Sequence, residues 1–235
     1  MRLPVFMVKL HRWLGLLLGL QVILWISGGL VMSALPITKV RGDDRARERT
    51  ARPYVTGAAL LSPTEVAARL GISEFMGARL AHRLDRPVYR LDTADGLIVA
   101  NATDGTQLPP LNAEEAQALA LADYAGDAPI AGVTLQQEAT VEIRGRTPPL
   151  WRVDFADGRR TTVYLDPTTG EVAARRNTLW RVYDVFWMLH IMDYRARDDF
   201  NHPLLVGSAA AAWLLATSGA WLVVTWLRRR MRRAA

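Results

Sequence analysis

Trp13-Leu14-Gly15-Leu16-Leu17-Leu18-Gly19-Leu20-Gln21-Val22-Ile23-Leu24-Trp25-Ile26-Ser27-Gly28-Gly29-Leu30 opens an apolar run that continues to Thr38 without an Asp, Glu, Lys or Arg. A second run, from Pro203 to Leu227, is equally free of charge. A helix needs about 20 apolar residues to cross a bilayer, so the two runs predict one spanning helix at each end of the chain. Each run is also tied to a histidine sixteen residues before a Ser-Gly pair, His11 before Ser27-Gly28 and His202 before Ser218-Gly219. The pattern places polar, ligand-capable side chains at the membrane edges.

Hydrophobic residues make up 50% of the chain, yet 22% are charged, and these concentrate between the two runs. The section from Lys39 to Asp199 is therefore expected to face water, with enough residues for one or two small cores. The net charge of +6 is not a nucleic-acid signature. Much of it lies in Arg228, Arg229, Arg230, Arg232 and Arg233, placed to meet anionic headgroups at the end of a helix. The chain has no cysteine, which removes disulfides, thiolate metal sites, iron–sulfur clusters and covalently attached haem. The first apolar run exceeds the h-region of a cleavable leader and no clear A-x-A site follows, so it reads as an uncleaved signal anchor. Arg2, Lys9 and Arg12 precede the first run and five arginines follow the second, which puts both termini in the cytoplasm. Lys39, Arg41, Arg45, Arg47, Arg49 and Arg52 argue the other way. They are discounted because Asp43, Asp44 and Glu48 are interspersed and the connecting segment exceeds the roughly 60 residues over which the rule is reliable.

The middle section repeats itself. Pro87-Val88-Tyr89-Arg90-Leu91-Asp92-Thr93-Ala94-Asp95-Gly96 aligns position by position with Pro149-Leu150-Trp151-Arg152-Val153-Asp154-Phe155-Ala156-Asp157-Gly158. Both alternate apolar residues into an Asp-Gly turn, the signature of a hairpin. Strand-like stretches follow, Leu97 to Ala100 and Thr161 to Leu165, each closing on a turn at Asp104-Gly105 or Asp166-Pro167-Thr168-Thr169-Gly170. Each copy also has an upstream capping box, Ser62-Pro63-Thr64-Glu65 and Asn112-Ala113-Glu114-Glu115. The expected fold is an α+β membrane protein with two transmembrane helices flanking two modules, each a helix on a small antiparallel sheet. The boundaries are 1–38 for the N-terminal end and first spanning helix, 39–110 and 111–177 for the modules, 178–200 for an interfacial helix and linker, and 201–235 for the second spanning helix and basic tail. Thr178 to Tyr194 carries Trp180, Tyr183, Phe186, Trp187 and His190 interleaved with Arg181 and Asp184, which reads as an amphipathic interfacial helix holding His190 at membrane depth.

Three motifs together resemble the PepSY-associated transmembrane helix proteins: Leu10-His11-Arg12-Trp13-Leu14-Gly15 entering an apolar helix, the hairpins with Tyr164-Leu165-Asp166 and Thr169-Gly170-Glu171, and Leu189-His190 before the last helix. The resemblance covers nearly the whole chain. Larger members of that family include inner-membrane ferric-siderophore reductases thought to bind haem b, so the resemblance implies electron transfer to a periplasmic acceptor, with His11 and His190 as haem ligands. The reductases have about four spanning helices where this chain has two, which implies a homodimer or a place in a larger membrane complex.

The residues support the same chemistry. Haem b iron is commonly held by imidazole, and a bis-histidine site has no open position, which suits electron transfer. Three of the four histidines, His11, His190 and His202, lie at membrane boundaries, where a polar side chain is a functional candidate by default. At about 1.5 Å rise per residue, His11 at the inner edge and His190 or His202 at the outer edge are roughly 30 Å apart and cannot share an iron. The expected arrangement pairs His11 with its copy in a homodimer, while His190 and His202 meet at the outer face. Gly15 and Gly19 form a G-x-x-x-G pair that fits such a dimer, a porphyrin face, or packing between the two helices of one chain. Asp193, Asp198 and Asp199 are candidates to orient a histidine.

Other readings fit the same residues: histidines that sit in the headgroup layer, a non-redox membrane-anchored binding or regulatory module, or an accessory subunit of a larger oxidoreductase. His82 reads as a surface histidine. No G-x-x-x-x-G-K-[ST] and no G-x-G-x-x-G after a strand is present, so a reductant would be lipid-soluble or another protein. No H-E-x-x-H or G-x-S-x-G motif points to hydrolysis. Nucleic acid is not an expected partner.

Overall fold

A computed structural model describes residues 3–48 and 59–234; the orientation arguments drawn from Arg2, Arg49 and Arg52 fall outside them. In chain order the elements are α1 (Leu3–Ala34), α2 (Ile37–Arg41), α3 (Pro63–Arg69), β1 (Gly77–Arg83), β2 (Arg86–Thr93), β3 (Gly96–Asn101), α4 (Ala113–Asp123), β4 (Ile130–Gln136), β5 (Leu150–Phe155), β6 (Thr162–Leu165), β7 (Val172–Arg176), α5 (Thr178–Ile191) and α6 (Pro203–Ala234). They divide into two units, residues 37–180 and residues 1–36 with 181–235.

The second of these units holds the long helices. Pro4–Ala34 and Pro203–Arg233 are both long and apolar enough to span a membrane. Each of α1 and α6 has 32 residues, about 48 Å of helix, which exceeds the hydrocarbon thickness of about 30 Å. The surplus carries charge: α1 includes Lys9 and Arg12 in its first turns, and α6 runs on through its arginines. These residues are good helix formers and extend both helices beyond the apolar runs. At its other end α1 stops short of Thr38, because Pro36 disfavours helical backbone in the residue before it. Met7, His11, Leu14, Leu18, Gln21, Trp25, Gly28 and Met32 form the centre of the shielded side of α1, none of them exposed, in alternating steps of four and three. That 3.5-residue period keeps one seam facing a neighbour. The neighbour is α6, running antiparallel: His11 meets Ser218 and Gly15 lies against Leu215. Gly15 thus serves packing within the chain, whereas space beside Gly19 is open.

The other unit holds the two modules. In the first, β1-β2-β3 form an antiparallel sheet in which Thr93 pairs with Gly96, so the turn residues are Ala94 and Asp95. The capping box at Ser62 is complete and starts α3. Val66 and Ala67 of α3 pack on Tyr89, Leu91 and Ala100 of the sheet. In the second, β4-β5-β6-β7 form an antiparallel meander, the capping box at Asn112 is complete, and Ala116 and Ala120 of α4 pack on Val153, Phe155, Val163 and Leu165. Its hairpin turn is longer than in the first copy, and Asp157 holds it by accepting from the Thr161 N–H at 2.8 Å and the Tyr124 hydroxyl at 3.0 Å. The far face of this sheet is covered too, by Ile143, Leu150, Tyr164 and Ala174. Burial raises the Tyr164 phenol above its usual range, helped by the hydrogen bond to Glu142.

Asp123, at the end of α4, is buried and accepts Arg175 Nε from β7 at 2.6 Å, within a two-pronged pair. The pair ties the helix to the far strand of the sheet. Removing the Asp123 charge leaves the partly buried Arg175 with only Asp43, at 3.6 Å, a loss of about 2 kcal/mol. Asp123→Asn is expected to lower the stability of this unit by about that amount, read as a fall in the urea midpoint of the full chain in detergent.

Candidate functional site

The three boundary histidines belong to the unit that holds the long helices, and each has a different environment. His11 projects from α1 onto α6. Its Nδ1 lies 3.1 Å from the Leu215 carbonyl and 3.0 Å from the Ser218 hydroxyl, and that hydroxyl itself donates to the Leu215 carbonyl at 2.8 Å. A carbonyl only accepts, so in the neutral ring Nδ1 carries the proton and Nε2 keeps its lone pair. Ser218 is 1% exposed, a fully buried hydroxyl on the side of α6 that faces α1. The ring packs against Gly219, where an added Cβ would stand 3.0 Å from Cε1. Beside the ring a groove of about 410 Å³ runs between the helices past Ala212, Leu215 and Gly219 toward Val22 and Trp25.

His190 sits in the last turn of α5, which at 14 residues is too short to cross a bilayer. It packs against Gly28 of α1: a Cβ there would meet Phe186 O at 3.5 Å and His190 Nδ1 at 3.8 Å. Two side chains of α1 reach backbone carbonyls of the same turn, Trp25 Nε1 to His190 at 2.7 Å and Gln21 Nε2 to Leu189 at 3.3 Å. The His190 ring makes no hydrogen bond among the described residues, and its Nδ1 is buried without a partner. Such an orphan costs about 1 to 3 kcal/mol unless something else engages it. The sixteen-residue repeat is thus realised crosswise, with His11 against Gly219 of α6 and His190, rather than His202, against Gly28 of α1. Gly28 is seventeen residues beyond His11, about 26 Å of helix, so the two imidazoles occupy separate levels.

His202 is engaged at both nitrogens. Nε2 donates to the Ile191 carbonyl at 2.9 Å, and Nδ1 accepts from the Leu205 N–H at 3.3 Å. It ties the start of α6 to the end of α5 and has no lone pair left for a metal. The acidic residues nearby are likewise spent on backbone. Asp193 accepts from the N–H groups of Arg195, Ala196, Asp198 and Asp199, and Asp199 accepts from Asn201. None of them orients a histidine ring; the loop 192–202 needs its own amides satisfied. Trp187 completes the clamp, donating to the Arg197 carbonyl at 2.9 Å and stacking edge-on with Phe200, while buried Asp184 holds Arg197.

At each of two levels the described residues present one imidazole with an available ring nitrogen beside a glycine, His11 at Gly219 and His190 at Gly28, so one chain supplies a single imidazole donor per level. Among the described residues no group of three or more His or acidic side chains gathers to hold a bare metal ion. His82 is elsewhere, on β1, half-buried at the edge of a cleft between the two modules. Ser218, Trp25 and Gln21 were not singled out as partners from the sequence; an uncharged hydrogen-bonding side chain inside an apolar run is the signal that marks them.

A family model described as the PepSY-associated TM region matches residues 8–235. No curated protein and no solved structure matches the chain.

Gly219→Ala is expected to push the His11 ring off its seat and break the Nδ1 bond, seen as a change of the His11 ¹⁵N shifts from the Nδ1–H pattern, while Gly19→Ala leaves them in place. Hydrogen bonds from the backbone of Arg195, and then of Asp198, Asp199 and Ala196, hold the Asp193 carboxyl down at about 2. Its contribution is present above the unfolded value near ~3.9 and is lost as pH falls through the folded one. Amide protection at Arg195, Ala196, Asp198 and Asp199 is expected to persist to about pH 4 and to vanish on acidification toward pH 2.

Proposed function

Because the chain belongs to the PepSY-associated TM region family, we propose that it is a haem b-binding electron-transfer protein of the bacterial inner membrane. Both termini lie in the cytoplasm and the two modules in the periplasm, where they meet an electron acceptor such as a ferric siderophore. The observation that carries this reading is the His11 imidazole: half-buried between two long apolar helices, seated on Gly219, its Nδ1–H committed to Leu215 and Ser218, and its Nε2 lone pair unspent. Metal-ligating histidines characteristically donate their other ring N–H to a carbonyl, which fixes the ring and raises its basicity. When bound, haem b supplies a one-electron couple.

The protein's own residues supply placement and surroundings. Leu215 and Ser218 hold the inner ligand in one tautomer, and Gly219 leaves room for its ring against α6. His190 is the outer ligand; Trp25 and Gln21 pin its helical turn to α1, and His202 braces the same turn from below instead of ligating. The apolar walls exclude water, which lowers the local dielectric and biases the couple against extra charge. Each level holds one candidate imidazole per chain, so a bis-histidine site draws its second ligand from another copy. A homodimer supplies four spanning helices and pairs each histidine with its equivalent. The separation of about 26 Å between levels makes them two centres.

A dithionite-reduced minus oxidised spectrum of the detergent-purified protein is expected to show b-type bands at about one haem per chain. His11→Ala and His190→Ala are each expected to remove one of two distinguishable signals, whereas His202→Ala lowers thermal stability and keeps both. A protein that stays colourless when expressed with ample haem overturns the reading in favour of a non-redox anchored module, and loss of both signals from either single substitution overturns the two-level arrangement.

A further inference from the structure

The unit 37–180 is joined to the long helices at both of its ends, and those ends are tied to each other. Only Leu35 and Pro36 separate α1 from α2. A residue adds at most about 3.6 Å, so Ile37 stays within about 11 Å of the end of α1 however the unit tilts. At the other end Asn177, 4% exposed, precedes α5. Its Nδ2 donates to the Lys39 carbonyl at 2.9 Å, and its Oδ1 caps α5 by accepting from the Trp180 N–H at 2.8 Å. One buried side chain thus pins the start of the unit to its end. Because α1 is long and apolar enough to span a membrane, chain connectivity holds this edge at the bilayer surface.

The edge is basic. On the α2 side, Lys39 and Arg41 are exposed, and their side chains make no hydrogen bond or ion pair among the described residues. On the other side the segment 142–146 runs along β7: Arg176 Nε donates to the Glu142 carbonyl at 2.6 Å, and Nε of exposed Arg146 donates to the Ala173 carbonyl at 2.9 Å. Arg176 also covers the Trp180 ring, 4.2 Å from its centroid. Burial, and then the like charges of Arg144 and Arg146, hold Arg176 down at about 10 against the opposing pull of Glu142 and Tyr164, so these cations stand close enough to repel one another. The stretches 37–45, 142–146 and 175–177 hold seven Lys or Arg residues against three carboxylates. Each of those carboxylates is engaged, Asp43 by Arg175, Asp44 by Arg159 and Glu142 by the Tyr164 hydroxyl.

An anion relieves a cluster of like charges, and the position of the cluster selects which anion. A phosphodiester at headgroup level accepts charge-assisted bonds from guanidinium and ammonium groups, and juxtamembrane cations are drawn to anionic lipid surfaces. The apolar groups match the same depth: Ile37 is 46% exposed two residues before Lys39, and Trp180 is of the residue type that gathers at the membrane–water interface. We propose that Lys39, Arg41, Arg146 and Arg176 form a collar, around the place where the chain leaves and re-enters the membrane unit, that binds the headgroups of anionic phospholipids. The surface is separate from the histidine levels and does not depend on haem.

The test is ¹⁹F NMR of the full chain labelled with fluorotryptophan, in nanodiscs of phosphatidylcholine carrying increasing fractions of phosphatidylglycerol, with the Trp180 signal assigned through Trp180→Phe. That signal is expected to shift saturably with the phosphatidylglycerol fraction, and raising salt from about 50 to about 500 mM is expected to weaken the response at least fivefold. The combined substitution Lys39→Gln, Arg41→Gln and Arg146→Gln, at three exposed side chains, is expected to weaken it about tenfold while the other seven tryptophan signals keep their places in pure phosphatidylcholine. Arg79→Gln, on the exposed face of β1, leaves the response unchanged. A Trp180 signal that ignores phosphatidylglycerol overturns the proposal, as does a response that survives the triple substitution or high salt. An equal response to glycerol phosphate added to pure phosphatidylcholine discs overturns the lipid assignment in favour of a free phosphate site.

Discussion

The hydrogen bond from the His11 imidazole to the Leu215 carbonyl and the Ser218 hydroxyl is the contact on which the membrane unit turns. Between apolar helices in lipid there is no hydrophobic force to drive pairing, since a lipid tail is as apolar as a leucine. What holds α1 to α6 is close fit and polar contact in a place where the alternative is an unmatched group in hydrocarbon. Ser218 and Gly219 do both jobs at one spot. The glycine lets the ring lie against the backbone, and the serine with the carbonyl one turn back receives the ring N–H. The seam between the helices then follows, with His11, Leu14 and Leu18 on one side and Leu215 and Ser218 on the other.

That contact also explains why the three boundary histidines are not equivalent. A histidine committed at one nitrogen, like His11, is oriented and still basic at the other. One committed at both, like His202, is a strap. One committed at neither, like His190, is an unsatisfied group held in place by its neighbours, because Trp25 and Gln21 fix the carbonyls of its turn rather than its ring. The difference lies in what each ring meets across a helix boundary, and the histidine's own position along the chain does not report it.

The modules are built on the same economy of buried charge. Where a guanidinium finds a full carboxylate fork, as Arg175 finds Asp123, the pair welds a helix to a sheet. Where it finds only a single oxygen at longer range, as Arg83 finds Glu115, it joins the two modules through one bond. The repeated hairpins supply the frame. Their arginines at equivalent positions, Arg90 and Arg152, have diverged: the first crosses to the neighbouring module, and the second pairs with Asp154 two residues along its own strand.

The sequence by itself determined the two spanning helices and the two α+β modules, because length, absence of charge, period-two alternation and capping boxes are local properties. Pro36 even marks where α1 ends, although the continuation of both helices into charged residues was not read from hydropathy, which registers only the apolar part. Tertiary structure alone decided which histidine keeps a free nitrogen, that the sixteen-residue repeat is answered crosswise between helices, that the loop carboxylates serve amides rather than imidazoles, and that Arg83 and Arg90 find carboxylates in the other module. Each of these depends on groups distant in the chain arriving at hydrogen-bonding distance. Side-chain identity states how many bonds a group can make, and only the packed chain states which of them are made.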